Sequence, residues 1–354
     1  MSNLKTSRIE TLDWLRGLMA LSIMFYHLTY RIISPLDLTS PLGRLGVYGV
    51  SIFFVLSGLS MAIVYNTYIS SLRAALNFYV RRIFRIWPMM WAVCILAILP
   101  QILTSGTYDW KLLFLNLTTL FGFVDPTAYI ATGAWSIGNE MVYYALTPMI
   151  FLLYNYKKWI GNVFFMVCLG VGLYFAFFVL DPSIGLSNQW ALYVNPFNNL
   201  FLYVMGIAIY YNLRDVNIHS AFNIVLLVSA ILLFFLLPYE GNQIAIASGF
   251  GRVVFVTLSF IIVFCFYKLK INLPVFLKNA LGTFGIATYG VYLIHPIAYY
   301  YISFALNKLH FDNGILTFCL IVVLTIVVSV FSYNFFELKL IKLGKRLTST
   351  AQSK

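Results

Sequence analysis

The chain has 354 residues, of which 61% are hydrophobic and only 10% are charged, and its net charge is +12. Soluble proteins average about 45–50% apolar and about 25% charged residues, so a soluble globular fold is excluded and the bilayer is the expected solvent. The basic residues are spread over short segments between apolar stretches. Orientation of membrane helices therefore explains the charge better than nucleic-acid binding does.

Ten apolar stretches have the length of membrane-spanning helices, which need about 20 residues each. They comprise residues 11–31, 46–68, 80–102, 134–154, 159–180, 190–211, 220–238, 246–267, 285–306 and 315–336. The first has no small-residue cleavage site after it and is interpreted as a retained helix that also targets the chain. The sequence thus predicts an all-α integral membrane protein, with one transmembrane domain over residues 1–340 and a basic cytoplasmic tail over 341–354.

Lysine and arginine residues indicate how these helices are oriented. With ten spans and a cytoplasmic N-terminus, most of them lie on the cytoplasmic side, and the outer loops contain only Arg31, Arg44, Lys111 and Lys308. The positive-inside rule therefore favours ten spans with both termini inside, in a multi-pass protein of the cell (inner) membrane. An eleventh crossing at residues 110–124 would invert the basic tail, so that stretch is predicted to be interfacial or re-entrant.

The first span contains ionisable residues at helical spacing. Arg16 and His27 are 11 residues apart, so they lie on one helix face, about 16 Å apart along the axis. Asp13 shares that face because it is three residues before Arg16. Ionisable groups cost about 2.5–3.5 kcal/mol inside a span and are functional hypotheses by default. Arg16 is expected near the cytoplasmic end and His27 near the outer end.

Glu140 lies near the outer end of the fourth span, at a depth similar to that of His27. A carboxylate beside an imidazole orients the ring and suits it to act as a general base that removes a proton from a hydroxyl. Two other interpretations stay open. Arg16 could simply extend to the membrane surface while His27 serves structure, and Glu140 could form a packing hydrogen bond with Tyr143 or Tyr144.

Three arginines, Arg81, Arg82 and Arg85, lead into the third span. Guanidinium groups bind phosphates bidentately, and Arg16 is expected at the same membrane depth. Together these residues predict a socket for a phosphate-rich cytoplasmic ligand. Orientation by the positive-inside rule accounts for the three arginines equally well.

Weaker signals come from four further polar residues. Ser57 and Ser60 could line a channel, or they could simply allow close packing of helices. His295 precedes a proline within the ninth span, which frees a backbone carbonyl, so a structural role is favoured. Arg252 could pair with Glu140 or contact a substrate. The histidines share no ligand spacing, so no metal is expected.

Five segments in chain order resemble motifs of one family. They are IETLDWLRGLMALSIMFYH, with Arg16 and His27 in an R-x10-H spacing; GVYGVSIFFVLSGLSMA, with Leu59 where Phe is usual; RRIFRIWP; WSIGNEMVYYALTP; and YGVYLIHP. The chain resembles membrane-bound acyltransferase family 3, the O-acyltransferases that modify surface polysaccharides and other exported molecules.

This resemblance implies ten core helices, acyl-CoA as the donor and a sugar hydroxyl as the acceptor. Acetyl-CoA is the default donor, no metal is expected, and the further partners are a glycan or glycoside and membrane lipid; oligomeric state and acceptor identity stay open. The candidate residues are His27 and Glu140 for catalysis; Arg16, Arg82, Arg85, Ser57 and Ser60 for donor binding; and Asp13, Trp135, Tyr143, Arg252 and His295 for substrate contact or structural support.

Two rival functions stay open. A transporter or flippase would use buried Arg, His and Glu for proton coupling, although the sequence contains no inverted repeat and no matched pair of broken helices. A non-enzymatic subunit of a polysaccharide export complex would tolerate replacement of His27 and of the arginines.

Overall fold

The computed structural model describes residues 9–311 and 313–349, and within them every regular element is helical. The helices are α1 Glu10–Ile32, α2 Pro41–Tyr65, α3 Leu72–Ser105, α4 Trp110–Leu117, α5 Phe121–Val124, α6 Trp135–Tyr156, α7 Lys158–Tyr174, α8 Trp190–Tyr193, α9 Pro196–Leu213, α10 Ser220–Leu236, α11 Ile244–Ala247, α12 Gly249–Lys268, α13 Val275–Lys308, α14 Gly314–Ser332 and α15 Leu338–Ser349. A short 3₁₀ helix at Leu186–Gln189 and π-helical turns at Phe175–Val179 and Tyr333–Glu337 adjoin them.

Within the described residues, six helices are long and apolar enough to cross a membrane, and a pair bent by 66° raises the number to seven. The six are Pro41–Tyr65, Leu72–Ser105, Lys158–Val179, Gly249–Lys268, Val275–Lys308 and Gly314–Ser349, and the bent pair is Leu186–Tyr193 with Pro196–Leu213. The protein is therefore a multi-pass membrane protein. Helices α1, α6 and α10 coincide with the remaining predicted spans, but α10 has only 17 residues, so ten crossings stay a prediction.

The stretch at residues 110–124 forms two short helices. Helix α4 has eight residues and α5 has four, and Thr119 between them has a positive φ of 56°. Because about 20 helical residues are needed to span the hydrocarbon core, neither crosses it alone. Gly122 packs directly against the backbone of Gly138, so the segment folds back onto the start of α6.

Glycines allow close packing of α2 against α9 and of α13 against α1. A Cβ atom on Gly58 of α2 would overlap the carbonyl oxygen of Tyr203 on α9, and Gly206 makes the reciprocal approach to Val55. Gly285 of α13 packs in the same way against the Asp13 backbone of α1. Small residues allow such backbone contacts between membrane helices, and these contacts join α2 to α9 and α1 to α13.

The C-terminal region is helical well beyond the last predicted span. Helix α14 continues through the π-helical turn into α15, which packs along α3 with Gly344 against Phe84. The predicted boundary at residue 340 therefore falls inside a helix rather than at the start of a tail. Residues 350–354 of the predicted tail lie outside the described part of the chain.

Candidate active site

A cavity of about 420 Å³ lies among α1, α2, α3, α6, α13 and α15. Its lining along α2 extends from Val50 to Tyr65, which corresponds to roughly 22 Å at 1.5 Å per residue. Its polar lining residues include Asp13, Arg16, Ser57, Tyr65, Arg81, Arg82, Arg85, Ser136, Glu140, Tyr144, Tyr289, Tyr292 and Lys345. Five of these side chains are cationic and two are carboxylates, so the cavity favours an anionic ligand.

Arg16 links α1 to α2 at this cavity. Its guanidinium donates to the Asp13 carboxylate at 2.7 Å, which confirms that the two residues share a helix face. It also donates to the hydroxyl of Ser60 and, at 3.4 Å, to the carbonyl of Leu56. Ser60 itself donates to that carbonyl at 2.6 Å. Residues of both helices thus orient Arg16, and the contribution of Ser60 is to position the Arg16 guanidinium.

Arg82 is held by aromatic residues. Its guanidinium donates to the Tyr65 hydroxyl at 2.7 Å and lies 5.8 Å from the ring centroid of Tyr144. The Tyr144 hydroxyl lies 3.1 Å from Ser57 Oγ. Glu140 interacts electrostatically with both Tyr144 and Arg82. The predicted residues Ser57, Arg82 and Glu140 are therefore brought together in one wall of the cavity.

Arg85 has a carboxylate partner that the sequence did not point to. Its guanidinium lies 3.1 Å from Glu337 Oε2 and 5.6 Å from the ring centroid of Tyr289. Glu337 is buried, and none of the described residues forms a hydrogen bond with its second oxygen, Oε1. In the sequence, the only sign of this ion pair is one acidic residue, Glu337, directly after the last apolar stretch. Its partner Arg85 is 252 positions away.

His27 and His295 form a pair of imidazoles. His27 Nδ1 lies 2.9 Å from His295 Nε2, and the rings are nearly parallel at 21°. On its other side, His295 Nδ1 lies 2.9 Å from the carbonyl oxygen of Val291. A carbonyl can only accept, so His295 Nδ1 carries the proton and its Nε2 is an acceptor in the neutral ring. His27 Nδ1–H therefore donates to His295, which leaves His27 Nε2 as an unprotonated nitrogen.

This arrangement changes the predicted partner of His27. Glu140 was expected to orient the ring, but within the described part of the chain His27 hydrogen-bonds to His295 instead. The reason is the close packing of α1 against α13, whereas Glu140 lies on α6 and interacts with Arg82. A neutral imidazole thus occupies the position expected for a carboxylate.

The cavity ends close to this pair. Tyr292 lines the cavity and is three residues before His295 on α13, about 4.5 Å along the helix axis. Its hydroxyl donates to the carbonyl of Gly133 at 2.8 Å and contacts Ser136 Oγ at 2.8 Å. The rings of Tyr292 and His295 lie 6.3 Å apart. The basic residues thus line one end of the cavity, and the histidine pair, which does not line it, lies close to the other end.

Besides His27, His295 and Ser60, three further predicted residues lie outside the cavity lining. Arg252 is buried and donates to the side chain and, at 2.7 Å, to the carbonyl of Asn198, so it does not pair with Glu140. The Tyr143 hydroxyl donates to the carbonyl of Pro196 at 2.9 Å. Trp135 packs edge-on against other aromatic rings. Their contacts stabilise the packing of α6, α9 and α12.

The family model described as an acyltransferase domain matches residues 9–334 of this chain. This match identifies the chain as a membrane acyltransferase. The chain belongs to acyltransferase family 3. Searches of curated proteins and of solved structures returned no significant match. The matched region contains the histidine pair and the arginines at the basic end, whereas Glu337 and Lys345 follow it.

Proposed function

We propose that this protein transfers an acyl group, acetyl by default, from acyl-CoA to a sugar hydroxyl of an exported or cell-surface glycan. The observation that carries the proposal is a cavity with arginines at one end and the His27–His295 pair beside its other end. Acyl-CoA has a matching order of groups, because its phosphates and its thioester lie at opposite ends of a flexible arm.

The basic end would bind the diphosphate of the donor. Arg16, Arg82 and Arg85 are oriented by Ser60, Tyr65 and Glu337 respectively. Preorganised guanidinium groups form strong charge-assisted bonds with phosphate oxygens. Asp13 and Glu140 balance part of the positive charge of the cavity wall.

The histidine pair would supply the base. His27 Nε2 takes the proton of the acceptor hydroxyl while the hydroxyl oxygen attacks the thioester carbonyl carbon. The tetrahedral intermediate then collapses, the C–S bond breaks, and the CoA thiolate takes the proton back from the imidazolium. Throughout, His295 accepts the hydrogen bond from His27 Nδ1 and stabilises the positive charge that forms on that ring. We propose direct transfer, with the ester as product and free CoA thiol as the leaving group.

The orientation of the protein follows from the positive-inside rule. The basic end of the cavity would face the cytoplasm, where acyl-CoA is made, and the histidine pair would lie towards the outer face. A donor bound from one side would then meet an acceptor from the other, in the cell (inner) membrane. The same cavity thereby explains how a cytoplasmic acyl group reaches an external glycan.

The test uses the full chain, purified in detergent, with radiolabelled acetyl-CoA. We expect saturable binding by wild type, loss of binding in Arg85→Ala, and normal binding with loss of thioester turnover in His27→Ala. Arg214→Ala and His219→Ala, at positions outside both the cavity and the histidine pair, are the matched controls. A folded wild-type protein that binds no acetyl-CoA, or a fully active His27→Ala protein, would refute the proposal.

A further inference from the structure

A second cavity opens at the basic end of the first. Its volume is about 650 Å³, and it shares Val64, Tyr65, Arg81 and Lys345 with the first cavity. Its cationic lining residues are Arg81, Lys345 and Arg346, and the described residues of its lining include no Asp or Glu. The two spaces therefore adjoin at these residues, and the second has a positively charged wall.

Arg81 is fixed in this wall by contacts on two sides. Its Nε donates to Thr348 Oγ1 of α15 at 2.8 Å, and its guanidinium lies 4.5 Å from the ring centroid of Tyr68. Lys345 is three residues before Thr348, so both side chains lie on neighbouring positions of one helix face. Among the described residues, no ion pair or hydrogen bond engages the Lys345 ammonium.

The order of cations along α3 sets the order of groups that a ligand must present. Arg85 lies beside Tyr289, towards the histidine end of the cavity. Arg81 is one helical turn, about 6 Å, further from the histidine end along α3. A ligand whose diphosphate reaches Arg82 and Arg85 would place its next anionic group near Arg81 and Lys345. In CoA that group is the 3′-phosphate on the ribose.

We propose that Arg81 and Lys345 form a subsite for the 3′-phosphate of the CoA donor. This inference rests on the proposed function. A phosphomonoester carries about −1.5 to −2 charge at neutral pH and three acceptor oxygens. The anchored guanidinium of Arg81 and the flexible ammonium of Lys345 suit such a phosphate. The guanidinium offers hydrogen bonds in fixed directions, and the ammonium adds a mobile positive charge. The subsite makes α15, which follows the region matched by the family, a part of donor recognition.

The experiment compares acetyl-CoA with 3′-dephospho-acetyl-CoA, which differs only in that phosphate. Dissociation constants are measured by calorimetry on the full chain for wild type, Lys345→Ala and Lys342→Ala. Lys342 is exposed on the same helix, lines neither cavity and serves as the matched control. Arg81→Gln is a second variant that keeps a hydrogen-bonding side chain next to Thr348.

Wild type should bind acetyl-CoA ~10-fold or more tightly than the dephospho compound, the effect of a charge-assisted phosphate contact. Lys345→Ala and Arg81→Gln should weaken binding of acetyl-CoA while leaving the dephospho compound unchanged, and Lys342→Ala should match wild type. Equal affinity of wild type for both compounds, or equal weakening of both in Lys345→Ala, would overturn the subsite alone. Absence of binding to either compound would overturn the donor assignment as well.

Discussion

The guanidinium of Arg85 forms a 3.1 Å ion pair with Glu337, whose side chain is only 2% exposed. The pair joins α3 to the π-helical turn that follows α14, and it holds Arg85 at the cavity wall. The carboxylate engages Nη1 of the guanidinium. In the proposed function, a donor phosphate at Arg85 would therefore share the guanidinium with Glu337 or displace the carboxylate.

Glu337→Gln should lower stability, because Arg85 loses its counter-charge and a hydrogen bond to a charged group is worth about 1.5–3 kcal/mol. Acetyl-CoA should restore more stability in this variant than in wild type, since its phosphate replaces the lost charge. Thermal unfolding with and without acetyl-CoA measures both effects. Glu240→Gln, in an exposed loop, is the control. A Glu337→Gln protein with the melting temperature of wild type would contradict the role of the pair.

His295→Ala should reduce turnover by ~10–100-fold, a part of the effect expected for the base itself, because His27 Nδ1 loses its acceptor. His295→Gln should recover part of the rate, since its amide oxygen can accept the same hydrogen bond. Neither variant should change the dissociation constant of acetyl-CoA, because His295 does not line the cavity. Turnover, KM and the pH–rate profile are measured together. Equal losses in the Ala and Gln variants would argue for a packing role instead.

Gly58→Ala should destabilise the fold by roughly 1–3 kcal/mol, as overpacking does, because the new Cβ would overlap the Tyr203 carbonyl. Gly170→Ala is the matched control: it lies in α7, and none of the described atoms beyond its own helix backbone and chain neighbours lies within 4 Å of the place its methyl group would take. That change should be neutral or slightly stabilising, because Ala favours helix over Gly. Thermal unfolding in one detergent compares the two. Equal melting temperatures would show that α2 and α9 separate at little cost.

Cysteine labelling tests the orientation of the chain. In a Cys319→Ala background, which removes the exposed native cysteine, Asp37→Cys and Asp215→Cys each place one thiol in an exposed loop. An impermeant maleimide should label Asp37→Cys in intact cells and Asp215→Cys only after lysis. The opposite pattern would place the basic end of the cavity outside and remove access to cytoplasmic acyl-CoA.

Helical periodicity was enough to predict relationships within one helix. Asp13 and Arg16 lie on one face and form an ion pair, as their spacing predicts. This prediction succeeds because rise and rotation per residue are fixed by the backbone. Arg81, Arg82 and Arg85 also line one cavity with Arg16, as their expected common membrane depth predicts.

Relationships between helices could not be predicted in the same way. The partner of His27 is His295, 268 positions away, and its choice depends on how α1 crosses α13. Arg252 is a second example: this ionisable residue inside a predicted span is satisfied by asparagines of another helix, α9. The register and rotation of packed helices determine both outcomes, and neither leaves a periodic signal in a single segment.

Helix α1 carries Arg16 and His27 on one continuous stretch without a proline or a break. Their separation, about 16 Å, is set by helix rise alone. In the proposed function, α1 would therefore fix the distance between the cation that binds one end of the donor and the base that acts at the other end. Selection would then depend on the length of the carrier arm rather than on the acyl group, and one residue inserted between them would turn His27 about 100° away from the reaction.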